Sequence, residues 1–215
     1  MLIVHQIINT PVSSNCFVVY DTAADENCII VDPGSEDNEH ICHFLEHEHL
    51  IPEYFILTHE HYDHCWGVND FRDRFPNAKL ICSGICSQAI QSSKTNYSVF
   101  NKQPGFELKP ADILLDDINW SITWQGHNIR FVPAQGHSAA GIVFFIGKYV
   151  FTGDSLIQDI KTVTKLKTAS KDKLMETMSM LESAKGSGLI VCPGHGDMFE
   201  LDGYDLSKMI NGRLH

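Results

Sequence analysis

Thr58-His59-Glu60-His61-Tyr62-Asp63-His64 places three imidazoles and the Asp63 carboxylate, besides that of Glu60, within six residues. The run follows residues 54–57, Tyr-Phe-Ile-Leu, an apolar segment that reads as a short buried strand. On an extended backbone, side chains two residues apart point the same way, so His59 and His61 can converge on one metal ion. Asp63 and His64 stand where a helix is expected to open and turn toward a neighbouring position. In a chain of this composition the spacing H-x-H-x-D-H is expected by chance roughly 0.003 times, so the run carries chemistry.

Three more ligand-type residues lie further along, each at a glycine-containing break beside a strand. They are His137 in Gln135-Gly136-His137-Ser138, Asp154 in Thr152-Gly153-Asp154-Ser155, and His195 in Pro193-Gly194-His195-Gly196. A sharp backbone turn at a strand end lets such a side chain face a shared crevice. Together the candidates are five His and two Asp with no thiolate, a donor set suited to zinc, iron or manganese. Seven donors exceed what one ion takes and match two ions that share a carboxylate.

With these residues in view, the sequence resembles the metallo-β-lactamase superfamily, specifically the binuclear hydrolase branch that includes glyoxalase II. Asn15-Cys16-Phe17 and Val31-Asp32-Pro33-Gly34 look like the family's early strand signatures, and His137, Asp154 and His195 occur in its order. The resemblance implies that His59, His61 and His137 hold a first metal, that Asp63, His64 and His195 hold a second, and that Asp154 bridges them. It implies an α/β fold: a four-layer αβ/βα sandwich of two mixed β-sheets flanked by helices, as a single domain over residues 1–215.

The implied function is a hydrolase with two divalent ions, zinc first with iron or manganese as alternatives. A metal-bridging hydroxide would cleave a small thioester or ester, with Asp63 as the catalytic residue that orients the hydroxide and carries its proton. Other activities on the same fold stay open: a mononuclear iron sulfur (persulfide) dioxygenase, a lactonase, a phosphodiesterase, or a non-catalytic metal-binding protein. True β-lactamases of the superfamily lack the bridging Asp, which argues against antibiotic hydrolysis, and the flavodiiron branch has Glu where His61 stands. Glyoxalase II carries a C-terminal helical domain that helps hold glutathione, whereas only 20 residues follow His195, so glutathione recognition is not carried over.

Composition narrows the partners. The chain has 215 residues, 43% hydrophobic and 20% charged, which suits one well-filled domain. Its net charge of −11 repels phosphate backbones and anionic membrane surfaces. A small-molecule substrate is expected, with no nucleic-acid or membrane partner; the oligomeric state is not legible. The start, MLIVHQIINT, lacks a basic segment and a small-residue cleavage site, and a cytoplasmic location is expected.

Lys161, Lys165, Lys167, Lys171 and Lys173 place five cations in 13 residues after Asp154. Lys161 and Lys165 are candidates for binding an anionic substrate group, with a solvated loop as the alternative. Tyr62, Cys65 and Trp66 either line the pocket or pack the ligand loop. Asp32 reads as an organiser of that loop rather than a ligand. His40, His43 and His47 share a helix face with glutamates and read as solvated surface. The seven cysteines are scattered without a C-x-x-C pair and read mainly as small buried apolar residues. Gly153-Asp154-Ser155-Leu156 spells a serine esterase signature, but away from the chain start where that signature belongs.

Periodicity predicts strands over 2–8, 16–20 and 28–31 in an antiparallel meander, and a helix from Ser35 with Ile41, Phe44 and Leu45 on one face. A further helix is expected from Asp63 or His64 to about Phe75, then a strand over 79–82. Residues 92–111 read as a long loop that could cover a site. Strands over 122–124, 128–132, 141–146 and 149–151 suggest a second sheet. A helix over 171–184, a strand over 189–192 and a closing helix over 205–211 complete the reading.

Overall fold

β1 (Leu2–Ile8), β2 (Asn15–Asp21) and β3 (Asn27–Val31) pair antiparallel in chain order, the meander expected of Val-, Ile- and aromatic-rich segments separated by polar connections. β4 (Ile51–Ile56), β5 (Lys79–Ser83) and β6 (Ile113–Leu115) then add parallel to β3, completing a six-stranded mixed sheet in the order β1-β2-β3-β4-β5-β6. The computed structural model describes residues 1–115, 120–207 and 209. The chain divides into two compact units, residues 1–115 and 116–215.

Parallel neighbours require crossovers, and helices supply them. α1 (Glu39–Glu48) joins β3 to β4, α2 (Tyr62–Cys65) and α3 (Val68–Arg74) join β4 to β5, and α4 (Gly84–Ala89) and α5 (Ser98–Asn101) join β5 to β6. The parallel strands are apolar on both faces, with Ile29, Ile30, Phe55, Ile56, Leu80 and Ile81 buried. α1 buries Ile41, Cys42 and Leu45 and leaves His40, His43 and His47 exposed, which is the solvated face expected of them.

The one helix expected from about residue 63 to Phe75 is two. The Gly67 N–H donates to the Pro33 carbonyl at 2.8 Å, and the Asp63 carbonyl accepts from the Ser14 hydroxyl. The helical bond between those two groups is therefore not made, and the chain turns between α2 and α3. Both competing partners are distant in sequence.

The second unit carries the sheet β12-β11-β10-β9-β8-β7. β7 (Ser121–Trp124), β8 (His127–Pro133), β9 (Ile142–Ile146) and β10 (Tyr149–Gly153) form an antiparallel meander. Across it Phe131 meets Phe144 at a tilt at 5.5 Å, and Phe144 stacks on Phe151 at 4.4 Å, each pair between neighbouring strands. β11 (Ile190–Pro193) lies parallel to β10 after the crossover helix α6 (Lys171–Ser183), and β12 (Phe199–Glu200) closes the edge. Ser170 caps α6 by accepting from the Lys173 N–H, and Leu174, Met178 and Leu181 pack on Val143, Val150 and Val191.

At Gly136 a Cβ would lie 2.6 Å from the Leu174 Cα, so the turn that carries His137 reaches α6 only as glycine. The closing helix expected over 205–211 falls in part outside the described residues. Among the described residues, no helix is long and apolar enough to cross a membrane.

Candidate metal centre

In the first unit the proposed ligands follow the C-terminal end of β4, beside the loop that leaves β3, the usual place for a site on parallel strands. Asp32 organises them. Its carboxylate accepts from the Thr58 N–H at 2.8 Å, from the Thr58 hydroxyl at 2.6 Å and from His64 Nδ1 at 3.1 Å. The single Thr58 hydroxyl proton is thereby committed to Asp32, so at the 3.0 Å contact with His59 Nδ1 the hydroxyl oxygen accepts. Both His59 and His64 therefore carry their proton on Nδ1 and present the Nε2 lone pair, the tautomer a metal ligand needs.

The rings crowd together. His59 lies 4.5 Å from His61 and 4.3 Å from His64 between ring centroids. His59, His61 and His64 are 2%, 7% and 0% exposed, which excludes an ordinary solvated role. Asp63 Oδ2 stands 3.8 Å from His64 Nε2.

The loops are framed from below. Asn9 donates to the Ser14 hydroxyl at 2.9 Å and to the Asp32 carbonyl at 3.1 Å, while Ser35 donates to Asn9 Oδ1 at 3.0 Å. Ser14 in turn donates to the Asp63 carbonyl. A Cβ on Gly34 would fall 1.6 Å from that same carbonyl oxygen, so the loop leaving β3 and the ligand helix touch backbone to backbone.

In the second unit Asp154 follows β10, and its Oδ2 lies 3.5 Å from His137 Nε2 and 3.7 Å from His195 Nε2. His137 Nδ1 faces the Val163 carbonyl at 3.1 Å, which only accepts, so His137 also presents Nε2. Donor atoms sharing an ion through bonds of about 2.0–2.1 Å lie about 3.4 Å apart in tetrahedral geometry, so these separations fit metal ligands. The structure thus brings His59, His61, Asp63 and His64 together in one unit and His137, Asp154 and His195 together in the other.

The remaining candidates sort by burial. Cys65 is fully buried and donates to the Glu60 carbonyl at 3.5 Å; burial, then the Asp63, Asp32 and Glu60 carboxylates, push its thiol well up. It packs the ligand loop. Tyr62 is half-buried against Trp66 at 6.0 Å, and burial followed by the Asp63 charge raises its phenol, which stays protonated. Ser155 is buried and donates to the Ala134 carbonyl at 3.2 Å, which leaves no nucleophile in the esterase-like tetrapeptide. Lys161 and Lys165 are exposed on the loop after Asp154, where buried Thr162 anchors to the Ser155 carbonyl at 2.9 Å. Lys173 is engaged with Glu176 at 2.8 Å, within α6.

One residue at this site was not read from the sequence. Tyr97, inside the 92–111 loop, meets the His61 ring edge-on at 5.0 Å and 85°. One of three aromatics in a Ser- and Asn-containing loop, Tyr97 has no periodic or spacing signature that would single it out.

A family model described as the metallo-beta-lactamase superfamily matches residues 9–195. A hydroxyacylglutathione hydrolase of Yersinia pestis (strain Pestoides F) is 24% identical over 186 residues, 86% of this chain and 64% of that protein. The chain therefore spans less than two thirds of that relative's length. Among solved structures, the BLEG-1 B3 metallo-beta-lactamase aligns with a TM-score of 0.87 at 26% identity, covering 98% of this chain and 100% of that one. TTHA1623 in a di-iron-bound form aligns with a TM-score of 0.76 at 20% identity, covering 92% and 94%.

Proposed function

The chain belongs to the metallo-β-lactamase superfamily and has its α/β fold class, and from that premise we propose a binuclear metallohydrolase acting on a small thioester or ester, similar to hydroxyacylglutathione hydrolase. The observation that carries this reading is Asp154, one carboxylate oxygen of which stands within 3.7 Å of two imidazole nitrogens on separate strand ends. A carboxylate so flanked by imidazoles supports the reading of Asp154 as shared between two ions. Residues 1–215 are read as a single functional domain. His59, His61 and His137 hold one ion, Asp63, His64 and His195 the other, and Asp154 both. Zinc is the first choice, with iron or manganese as alternatives.

When bound, two divalent cations supply Lewis acidity, which acidifies water to a pKa near about 7 and polarises a carbonyl. The protein's own groups do the rest. Asp63 orients the attacking water, takes its proton and returns it to the departing thiolate or alkoxide, so that thioester and water become acid and thiol. Asp32 and Thr58 keep His64 and His59 aimed. Lys161 and Lys165 draw in an anionic substrate group, and Tyr62 stands beside the ligands as a polar contact. The substrate is a small molecule and the location cytoplasmic in this reading; the net charge of −11 disfavours nucleic-acid and anionic-membrane partners.

The test is turnover on a panel of thioester, ester, lactone, phosphodiester, β-lactam and persulfide substrates with the purified chain. Thioester or ester hydrolysis is expected to lead the panel and to disappear with chelation. His61→Ala and Asp63→Ala are expected to keep the circular dichroism of the folded chain and to lose at least about 10²-fold in kcat. Near wild-type turnover in either variant contradicts the assignment, and persulfide oxidation with one iron per chain replaces it.

A further inference from the structure

The 92–106 segment is a built structure rather than a slack loop. Asn96 is fully buried, and its amide spans the segment: Nδ2 donates to the Phe106 carbonyl at 2.9 Å and Oδ1 accepts from the Ser98 N–H at 2.9 Å. The Ser98 hydroxyl accepts from the Phe106 N–H at 2.9 Å, and Thr95 donates to the Ala89 carbonyl at 2.6 Å. At its far end Phe106 stacks on Trp66 at 5.6 Å, and Lys102 lies over the same indole at 5.9 Å.

This frame holds Tyr97 at φ 64, a left-handed backbone conformation that a residue with a side chain adopts only at a cost. A glycine would make the same turn without strain, so the strained position is occupied for the sake of its ring. That ring is the one that meets His61 edge-on. Phe100, three residues on in α5, lies 6.2 Å from Tyr97 and is 75% exposed, the largest exposure among the large apolar side chains described. Two rings thus lead outward from a ligand histidine, the first held rigidly and the second open to solvent.

We propose that Tyr97 and Phe100 form an apolar wall against which the acyl group of the substrate packs, so that the site selects thioesters or esters with an extended aliphatic or aromatic acyl group over those with a short one. This rests on the thioester and ester reading above. A preformed aromatic wall binds apolar surface without an ordering cost, whereas a polar acyl group gains nothing from it. Each methylene that reaches the wall raises kcat/KM by up to about fourfold.

The test is a series of thioesters of one thiol with acetyl, butyryl, hexanoyl and phenylacetyl groups, together with fluorine NMR binding of 4-fluorophenylacetate and fluoroacetate to the same protein. The phenylacetyl-to-acetyl ratio of kcat/KM is expected to exceed ten in the wild type. It falls at least about tenfold in Phe100→Ala and Tyr97→Ala, with metal content unchanged, and survives in Tyr97→Phe. 4-Fluorophenylacetate is expected to bind more tightly than fluoroacetate, with the difference lost in Phe100→Ala.

A flat acyl series in an active enzyme overturns the wall, and so does a Tyr97→Phe variant that behaves like Tyr97→Ala. A dimer that Phe100→Ala dissociates in sedimentation, with the acyl ratio unmoved, assigns Phe100 to a second copy and also overturns it. If no thioester or ester is turned over, the function above fails while the fluorine binding difference still decides on the wall.

Discussion

Asp32 spends its carboxylate on Thr58 and His64, and through Thr58 it also fixes His59, so one side chain sets the tautomer of two ligands. Asp32→Asn replaces one acceptor oxygen with a donor that faces either the Thr58 N–H or, in the other amide orientation, both the Thr58 hydroxyl and the His64 N–H. It is expected to lower metal affinity about 10–100-fold in competition with a chromophoric chelator, with the fold intact. An unchanged affinity would show that the ligand tautomers are set elsewhere. The clustering of the proposed ligands was legible in the spacing of residues 59–64 because neighbours in sequence stay neighbours at a strand end. Their tautomers were not, because those depend on a carboxylate 26 residues away from Thr58. Tyr97 was invisible for the same reason, since its meeting with His61 is made by the path of a loop.

Elements long enough to show a period were readable: β1, β8 and α6 fall where the apolar spacing put them, while α1 keeps its apolar face but opens at Glu39 rather than at Ser35. α4, α5, β6 and β12, at six, four, three and two residues, are too short for any period to appear. The break between α2 and α3 was also unread, since distant groups take the backbone bonds of Asp63 and Gly67. The contact of Gly34 with the Asp63 carbonyl belongs to this scale, because it locks the β3 loop to the ligand helix. Gly34→Ala forces two backbones apart and is expected to cost at least about 3 kcal/mol in denaturant unfolding. Gly203→Ala, where a Cβ meets nothing within 4 Å, is expected to stay within about 0.5 kcal/mol. Equal effects at the two positions would remove the close approach from the account.

Across the whole molecule the seven cysteines behave as core. All are free and buried, and burial pushes the thiols of Cys16, Cys65, Cys86 and Cys192 well up. The folded chain is expected to give no rapid reaction with a thiol-exchange dye, and seven equivalents in guanidinium. One rapidly reacting thiol in the folded state would contradict that packing. The fold class was legible at this scale only through the family resemblance that the order of the motifs carries. The substrate was not, since the loops that choose it follow no pattern that chemistry imposes on sequence.

The central claim is a proposed two-ion centre with Asp154 shared between the ions, and the direct measurement is metal content per folded chain in the wild type, Asp154→Ala and His137→Ala. Two ions per wild-type chain, with fewer than two in each variant, are predicted. Two ions retained in both variants, or a single ion held by a wild type that still hydrolyses thioesters at full rate, would contradict it.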